Sequence, residues 1–257
     1  MNQTTAENLM KITEESYQKI AASFSDTRNF SWAEIDLAIT KYLKDNVKIL
    51  DLGCGNGRLL ISLKKYLENF DYTGVDSCLE LIKKAQLATL SSRASRACLP
   101  AGRGSQIISF AHQNILDLQN FSDNSFDTIF MVASFNHIAG QKLQKKILLE
   151  INRILKPNGI LIMTNWNLWQ FHSKKSFWNN LSKKQPTNYG LRVTDYKEIV
   201  TLWQNKYPLY YHAFTLRELK KLLQKTDFEV LENYYVKDGK KAHWFNGRNI
   251  LTATRKV

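Results

Sequence analysis

Cysteine is scarce in this chain, and the little there is excludes two kinds of protein. Cys54, Cys78 and Cys98 have neither the spacing of a zinc site nor that of a disulfide framework. Long apolar runs are missing too. No stretch of about 18 apolar residues occurs, so a transmembrane helix is excluded and no membrane partner is expected. The opening stretch MNQTTAENLMKITEES is polar and acidic, unlike a secretory leader. The expected compartment is the reducing cytoplasm. Acid is in short supply: 23 Asp+Glu against 36 Lys+Arg leave a net charge of +13. Such an excess suits a polyanionic partner through phosphate neutralisation, and equally suits a lysine-rich, AT-biased proteome.

What is present fits a globular α/β protein. At 44% hydrophobic residues over 257 positions, the chain can bury a core of one large domain or two small ones. Tyr17, Ile20, Ala21 and Phe24 have helical spacing within 13–24. A second helix is predicted from Ser31 to Leu43, with Ser31 and Glu34 as a capping box. Strands and helices then alternate: VKILDL, a helix over 58–67, YTGVD, the SCLELIKKAQ helix, IISFAHQ, FDTIFMVAS, a helix over 142–155, and GILIMTNW after the KPNG turn. That alternation predicts a parallel sheet with right-handed crossovers. A capped helix follows at Thr215–Leu223, with Glu218 completing the box, and then two strands joined by the hairpin signal KDGK.

Two stretches break the pattern. Residues 90–105 are small and polar, with three arginines and no acid, and read as a flexible surface insertion. Residues 166–214 carry 12 of the 30 aromatics, and 171–225 hold 11 Lys+Arg against 3 Asp+Glu, so most of the charge excess lies there. Basic and aromatic side chains together suit RNA, the first meeting phosphates and the second stacking on bases. The same aromatics suit an apolar lid over a small molecule.

Three glycines in five positions, in ILDLGCGNGRLL, mark a turn that twists sharply or admits a ligand close to the backbone. No lysine follows as a P-loop requires, so nucleoside triphosphate binding is disfavoured. Asp51 closes the first strand. Asp76 ends the second, 19 residues beyond Gly57, where a carboxylate can take both ribose hydroxyls of a nucleoside.

With these residues in hand, the stretch 47–165 resembles the class I S-adenosylmethionine (SAM) methyltransferases. ILDLGCGNG, YTGVD, FSDNSFDTIF and LLEINRILKPNGILIM match four of their motifs in order. The resemblance implies a Rossmann-like seven-stranded sheet with helices on both faces and a C-terminal antiparallel hairpin, all in one domain over 1–257. Residues 1–46 would lie over the cofactor site and 166–214 on the substrate side. It implies SAM as cofactor, held by Asp51, Gly53, Gly55, Gly57, Asp76, Ser77, Asn114, Ile115 and Ala133. At the adenine amine the family usually places an acid; here Asn114 offers its amide oxygen instead.

Methyl transfer from a sulfonium is an in-line displacement helped by alignment and exclusion of water. No His/Cys/Asp cluster suggests a metal. Base-amine methylation uses [DN]-P-P-[YFW] after the fourth strand, where this chain has MVASFNHI, and no cysteine is placed for pyrimidine C5 attack. An oxygen or simple nitrogen nucleophile remains. The flanks SYQKIAASFSDTRNFSW and YYHAFTLRELKKLL, with the tail HWFNGRNILTATRKV, resemble the tRNA wobble-uridine carboxymethyl methyltransferases, including the methyltransferase domain of the AlkB-like tRNA enzymes. That family tends to pair two histidines where this chain has Asn136 and His137. A carboxymethyl acceptor, with a pKa near 4, is ionised at neutral pH and needs only orientation and desolvation.

Three side chains are candidates for the chemistry. Arg28 fits a carboxylate clamp on the acceptor, or a clamp on the cofactor's methionyl carboxylate, or a surface ion pair. His137 fits an orienting group or base, and equally a strand-exit cap; His212 fits a substrate contact or a hydrogen-bonded hinge. The expected partner is tRNA, with a small-molecule acceptor as the competing reading and a small activating protein subunit as a further partner. A third reading is a non-catalytic SAM-binding or partner-activating subunit.

Overall fold

A computed structural model describes residues 1–94, 105–173 and 197–257. Two helices come first, α1 (Gln3–Asp26) and α2 (Ala33–Tyr42). Asn2 caps α1 by accepting the Thr5 N–H at 2.8 Å, and Ala6, Leu9, Thr13, Ser16 and Ile20 form its buried face at helical spacing. The predicted box at Ser31 does not form. The Ser31 hydroxyl donates to Asp36 Oδ2 instead, and α2 starts behind Trp32 with no side-chain cap.

The alternating core follows: β1 (Val47–Leu52), α3 (Leu59–Tyr66), β2 (Phe70–Asp76), α4 (Leu79–Ala94), β3 (Gln106–His112), β4 (Phe126–Val132), α5 (Gln141–Ile154) and β5 (Leu155–Trp166). Beyond it come a hairpin, β6 (Glu198–Trp203) with β7 (Tyr207–His212), then α6 (Leu216–Gln224), β8 (Phe228–Lys237), β9 (Lys240–Lys241) and β10 (Asn249–Lys256). The KPNG turn falls inside β5, with Asn158 at φ 62° and a register shift opposite. The Thr215 box forms as expected: its hydroxyl oxygen accepts the Glu218 N–H at 3.2 Å.

The main sheet runs β3-β2-β1-β4-β5-β10-β8-β9. Its first five strands are parallel, and β10 enters antiparallel between β5 and β8. Eight strands stand where seven were expected. The extra one arises because the Asp238–Gly239 turn folds β9 onto the outer edge of β8, while the chain returns later as β10 on its inner edge. Neighbouring residues on the central strands feed opposite faces of the sheet. Leu50, Ile129 and Leu161 join α5 and α6 in one core, and Ile49, Phe130 and Ile162 join α2 and α3 in the other. Strand order reverses between β1 and β4, so a crevice opens at their carboxyl ends.

Candidate functional site

The crevice at the strand reversal holds a cavity of about 290 Å³. This is at the small end of ligand pockets, about 300–1,000 Å³. The glycine loop after β1 forms its floor. Gly53 sits at φ 77°, and a Cβ there would lie 2.6 Å from Ser134 Cβ, so only glycine lets the loops after β1 and β4 meet. Gly55, at φ 55°, faces the cavity with no such neighbour. Gly57 does not line it; a Cβ there would press on Ala85 and Phe110 at 3.2–3.3 Å, which makes this glycine a packing requirement.

Asp76, at the end of β2, is fixed by two backbone donors, Gly55 N–H to Oδ2 and Cys78 N–H to Oδ1, both at 2.8 Å. Burial pushes its carboxyl pKa up and these two bonds oppose that rise. Each oxygen keeps a lone pair for a further donor. Ser77, Asn114, Ile115 and Ala133, expected at the cofactor, all line the cavity. Asn114 Oδ1 already accepts the Leu116 N–H at 2.9 Å, leaving it one further lone pair. Ala133 stands at φ 54°, a strained conformation for a residue with a Cβ, held by N–H bonds to Thr164 O and Oγ1. Asp51 lies behind the loop and is 1% exposed; it accepts the Tyr72 hydroxyl, and its Oδ1 has no partner among the described residues. Burial raises its pKa to about 7.

The roof is α1 and the β6–β7 hairpin. Asn56 Nδ2 donates to Ser25 Oγ at 3.1 Å, tying the glycine loop to α1, and the Tyr210 N–H donates to Thr13 Oγ1 at 3.0 Å, tying β7 to it. Between them His137 lines the cavity. Its Nδ1 lies 2.7 Å from the Tyr210 carbonyl, which can only accept, so Nδ1 carries the proton and Nε2 accepts the Tyr17 hydroxyl at 3.0 Å. The Tyr211 hydroxyl lies close enough to bear electrostatically on Tyr17. Burial lowers the His137 pKa to about 4, so the ring is neutral at pH 7.

Two guanidiniums reach the cavity. Arg28 lies over the Phe24 ring at 3.9 Å, and Arg58 over Trp32 at 4.0 Å. Burial lowers both pKa values, that of Arg58 to about 10, and mutual repulsion adds to the effect on Arg58. Neither has a carboxylate ion-pair partner among the described residues. The Tyr17 and Tyr211 hydroxyls bear electrostatically on Arg28, whereas Arg58 sits on the glycine loop close to the Asp51 charge.

His212 does not join this group. It is buried between Glu198 and Glu218 at 3.1 and 3.0 Å, linking β6, β7 and α6, and Glu198 also takes the Tyr210 hydroxyl. Burial alone would lower its pKa, but the two carboxylates raise it to about 9. Sequence reasoning missed Arg58, Trp32, Trp166 and Tyr211, which line the cavity, and gave Tyr17 only a helix-face role. The flanks SYQKIAASFSDTRNFSW and YYHAFTLRELKKLL contain Tyr17, Trp32 and Tyr211, but nothing local marked Arg58 or Trp166. Among the described residues, no group of three or more His, Cys, Asp or Glu is placed to hold a metal, and no helix is long and apolar enough to cross a membrane.

The residues present fit SAM: an open glycine backbone, a fixed carboxylate with spare acceptors for ribose, Leu81 and Ile115 as apolar walls, and cations for a methionyl carboxylate. Comparison with known proteins agrees. A family model described as a methyltransferase domain matches residues 43–227. The Aspergillus luteorubrus protein ltbC, a methyltransferase by name, is 31% identical over 53% of this chain; the match spans 46% of that protein, about half its length. The tRNA (carboxymethyluridine(34)-5-O)-methyltransferase of Schizosaccharomyces pombe is 26% identical over 86% of this chain and 90% of its own. In structure, the chain resembles the methyltransferase solved in complex with the Trm112 activator of Haloferax volcanii, with a TM-score of 0.62 at 18% identity over 95% and 96% of the two chains.

Proposed function

Because this chain belongs to the methyltransferase-domain family and is a SAM-dependent methyltransferase, we propose that its acceptor is a carboxylate on a tRNA wobble uridine. The observation that carries the carboxylate is the pair of arginines in one cavity. A methionyl group would bring one carboxylate, and Arg58, on the glycine loop beside Asp51, is the cation this reading assigns to it. Arg28, on the side of Tyr17 and Tyr211, is left for an anion on the acceptor. The tRNA assignment draws on the name of the S. pombe relative and on the net charge of +13. On this reading 1–257 is one methyltransferase unit, with Gly53, Gly55, Asp76, Ser77, Asn114, Ile115 and Ala133 around the cofactor and Asp51 and Gly57 supporting the loop. A small activating subunit, as in the H. volcanii complex, belongs to the same proposal.

When bound, SAM supplies a methyl group on a sulfonium sulfur, and its transfer to a carboxylate oxygen leaves a neutral thioether. The chain's own work is positional. Arg28 fixes the carboxylate with two parallel hydrogen bonds, which sets its plane relative to the methyl donor. The acceptor is already ionised, so no residue has to remove a proton; neutral His137, its lone pair occupied by Tyr17, acts as a brace. Trp32, Trp166 and Tyr211 exclude water, which strengthens the ionic contact.

The test uses an anticodon stem-loop carrying 5-carboxymethyluridine, with product followed by mass spectrometry. Wild type should add one methyl as an ester, and Arg28→Gln should lose about ten- to a hundredfold in kcat/KM, the scale of a charged hydrogen bond. Arg58→Gln should weaken S-adenosylhomocysteine binding but not that of methylthioadenosine, which lacks the carboxylate. Methylation of a small-molecule acceptor alone would replace tRNA with the competing reading.

A further inference from the structure

The loop between β9 and β10 places three aromatic side chains in solvent at the same edge of the sheet as the cavity. Trp244 and Phe245 are 52% and 51% exposed, and His243 stacks on Phe245 with planes 2° apart. Aromatics held in water cost free energy unless a partner covers them. This loop is not loose. Asn167 Nδ2 donates to both the Trp244 and Gly247 carbonyls at 2.7 Å, and the His243 N–H donates to Asn246 Oδ1 at 2.8 Å. Gly247 is packed so that a Cβ would lie 2.8 Å from Tyr235 Cβ. Asn167 adjoins Trp166, which lines the cavity, so the loop is anchored one residue away from the cavity wall.

The surroundings are basic. Within residues 237–248, Lys237, Lys240, Lys241 and Arg248 are exposed, against the single acid Asp238, which pairs with Arg248 at 2.9 Å. Neither Lys237 nor Lys240 has an acidic partner among the described residues. Rigid exposed rings beside lysines without acidic partners match unstacked bases on a phosphate backbone, the bases stacking and the lysines meeting phosphates.

We propose that His243, Trp244 and Phe245 form a stacking platform for unpaired RNA bases at the mouth of the methyltransferase site, with Lys237, Lys240 and Lys241 on the flanking phosphates. The proposal rests on the tRNA reading and moves the RNA contact to a surface that reading did not use. Bases next to the acceptor nucleotide stack here while the acceptor itself enters the cavity.

Fluorescence anisotropy with an unmodified anticodon stem-loop, uridine at the wobble position, tests this. The double variant Trp244→Ala/Phe245→Ala should bind the stem-loop about ten- to a hundredfold more weakly, with S-adenosylhomocysteine affinity and melting temperature unchanged. Trp244→Phe/Phe245→Tyr, which keeps the rings, should retain most of the affinity. Lys240→Gln/Lys241→Gln should make the log–log salt slope shallower by roughly 1 to 2. Equal RNA affinity for wild type and the double alanine variant overturns the platform alone. No RNA binding by the wild type overturns it together with the tRNA reading. Unchanged RNA affinity with loss of wild-type self-association would assign the patch to protein contact and also overturn it.

Discussion

At Asp76 two backbone N–H donors hold a carboxylate ready before any ligand arrives. Asp76→Ala should therefore weaken SAM binding by about 1.5–3 kcal/mol, roughly ten- to a hundredfold, read by calorimetry. Equal affinity in the variant would remove Asp76 from the ribose, and NAD should give no heat. His212 carries a second expectation. Its pKa is raised above the unfolded value of about 6.5 to about 9, so the folded state holds the extra proton between those limits. Its contribution is then full below pH 6.5 and is lost as pH rises through 9. Below pH 6.5, His137, lowered to about 4, and Asp51, raised to about 7, act in opposite directions. Chemical denaturation from pH 6.5 to 9 should show stability falling, and His212→Gln should flatten that fall. An identical slope in the variant contradicts the clamp.

The elements divide by how local their causes are. The glycine loop, the strand alternation and the Thr215 box were legible because each depends on neighbours in sequence. Thr215→Ala should lower unfolding stability by about 1 kcal/mol in denaturant titrations; no change would mean that the cap contributes nothing. The Ser31 box had the same local signal and failed, because Asp36 took the hydroxyl while Trp32 turned into contact with Trp166 and Arg58. The β6–β7 hairpin was invisible in an aromatic, basic stretch without clear alternation. The cavity lining suffers most from this limit. Tyr17, Arg58, Trp166 and Tyr211 come from separate elements, and only the folded sheet edge brings them together. The expected insertion at 90–105 begins within α4, which runs on to Ala94, and 95–104 lie outside the described residues; 95–104 should be replaceable by a short Gly/Ser link. The melting temperature should then move by only a few degrees, because loop length changes closure entropy slowly. Loss of folding would show that it packs.

For the whole molecule, sheet order sets the place of chemistry. The reversal between β1 and β4 opens the crevice, α1 and the β6–β7 hairpin roof it, and the β9–β10 loop is anchored one residue away from its wall. Charge is spread on the same scale: the +13 excess was legible as a sum, but Lys183 and Lys184, in the basic 171–225 stretch, lie outside the described residues. Lys183→Gln/Lys184→Gln should flatten the salt dependence of RNA binding without touching SAM affinity; an unchanged slope would clear that stretch of phosphate contact. The central claim is methyl transfer from SAM to a carboxylate on tRNA. Its most direct measurement is incubation with methyl-labelled SAM and, in parallel, total RNA, a protein extract and a metabolite extract. Label entering tRNA and released by alkali is the expected result, since esters hydrolyse there and N- or ring-methyl groups do not. Label in tRNA that survives alkali would contradict the carboxylate, and label confined to metabolites would contradict tRNA.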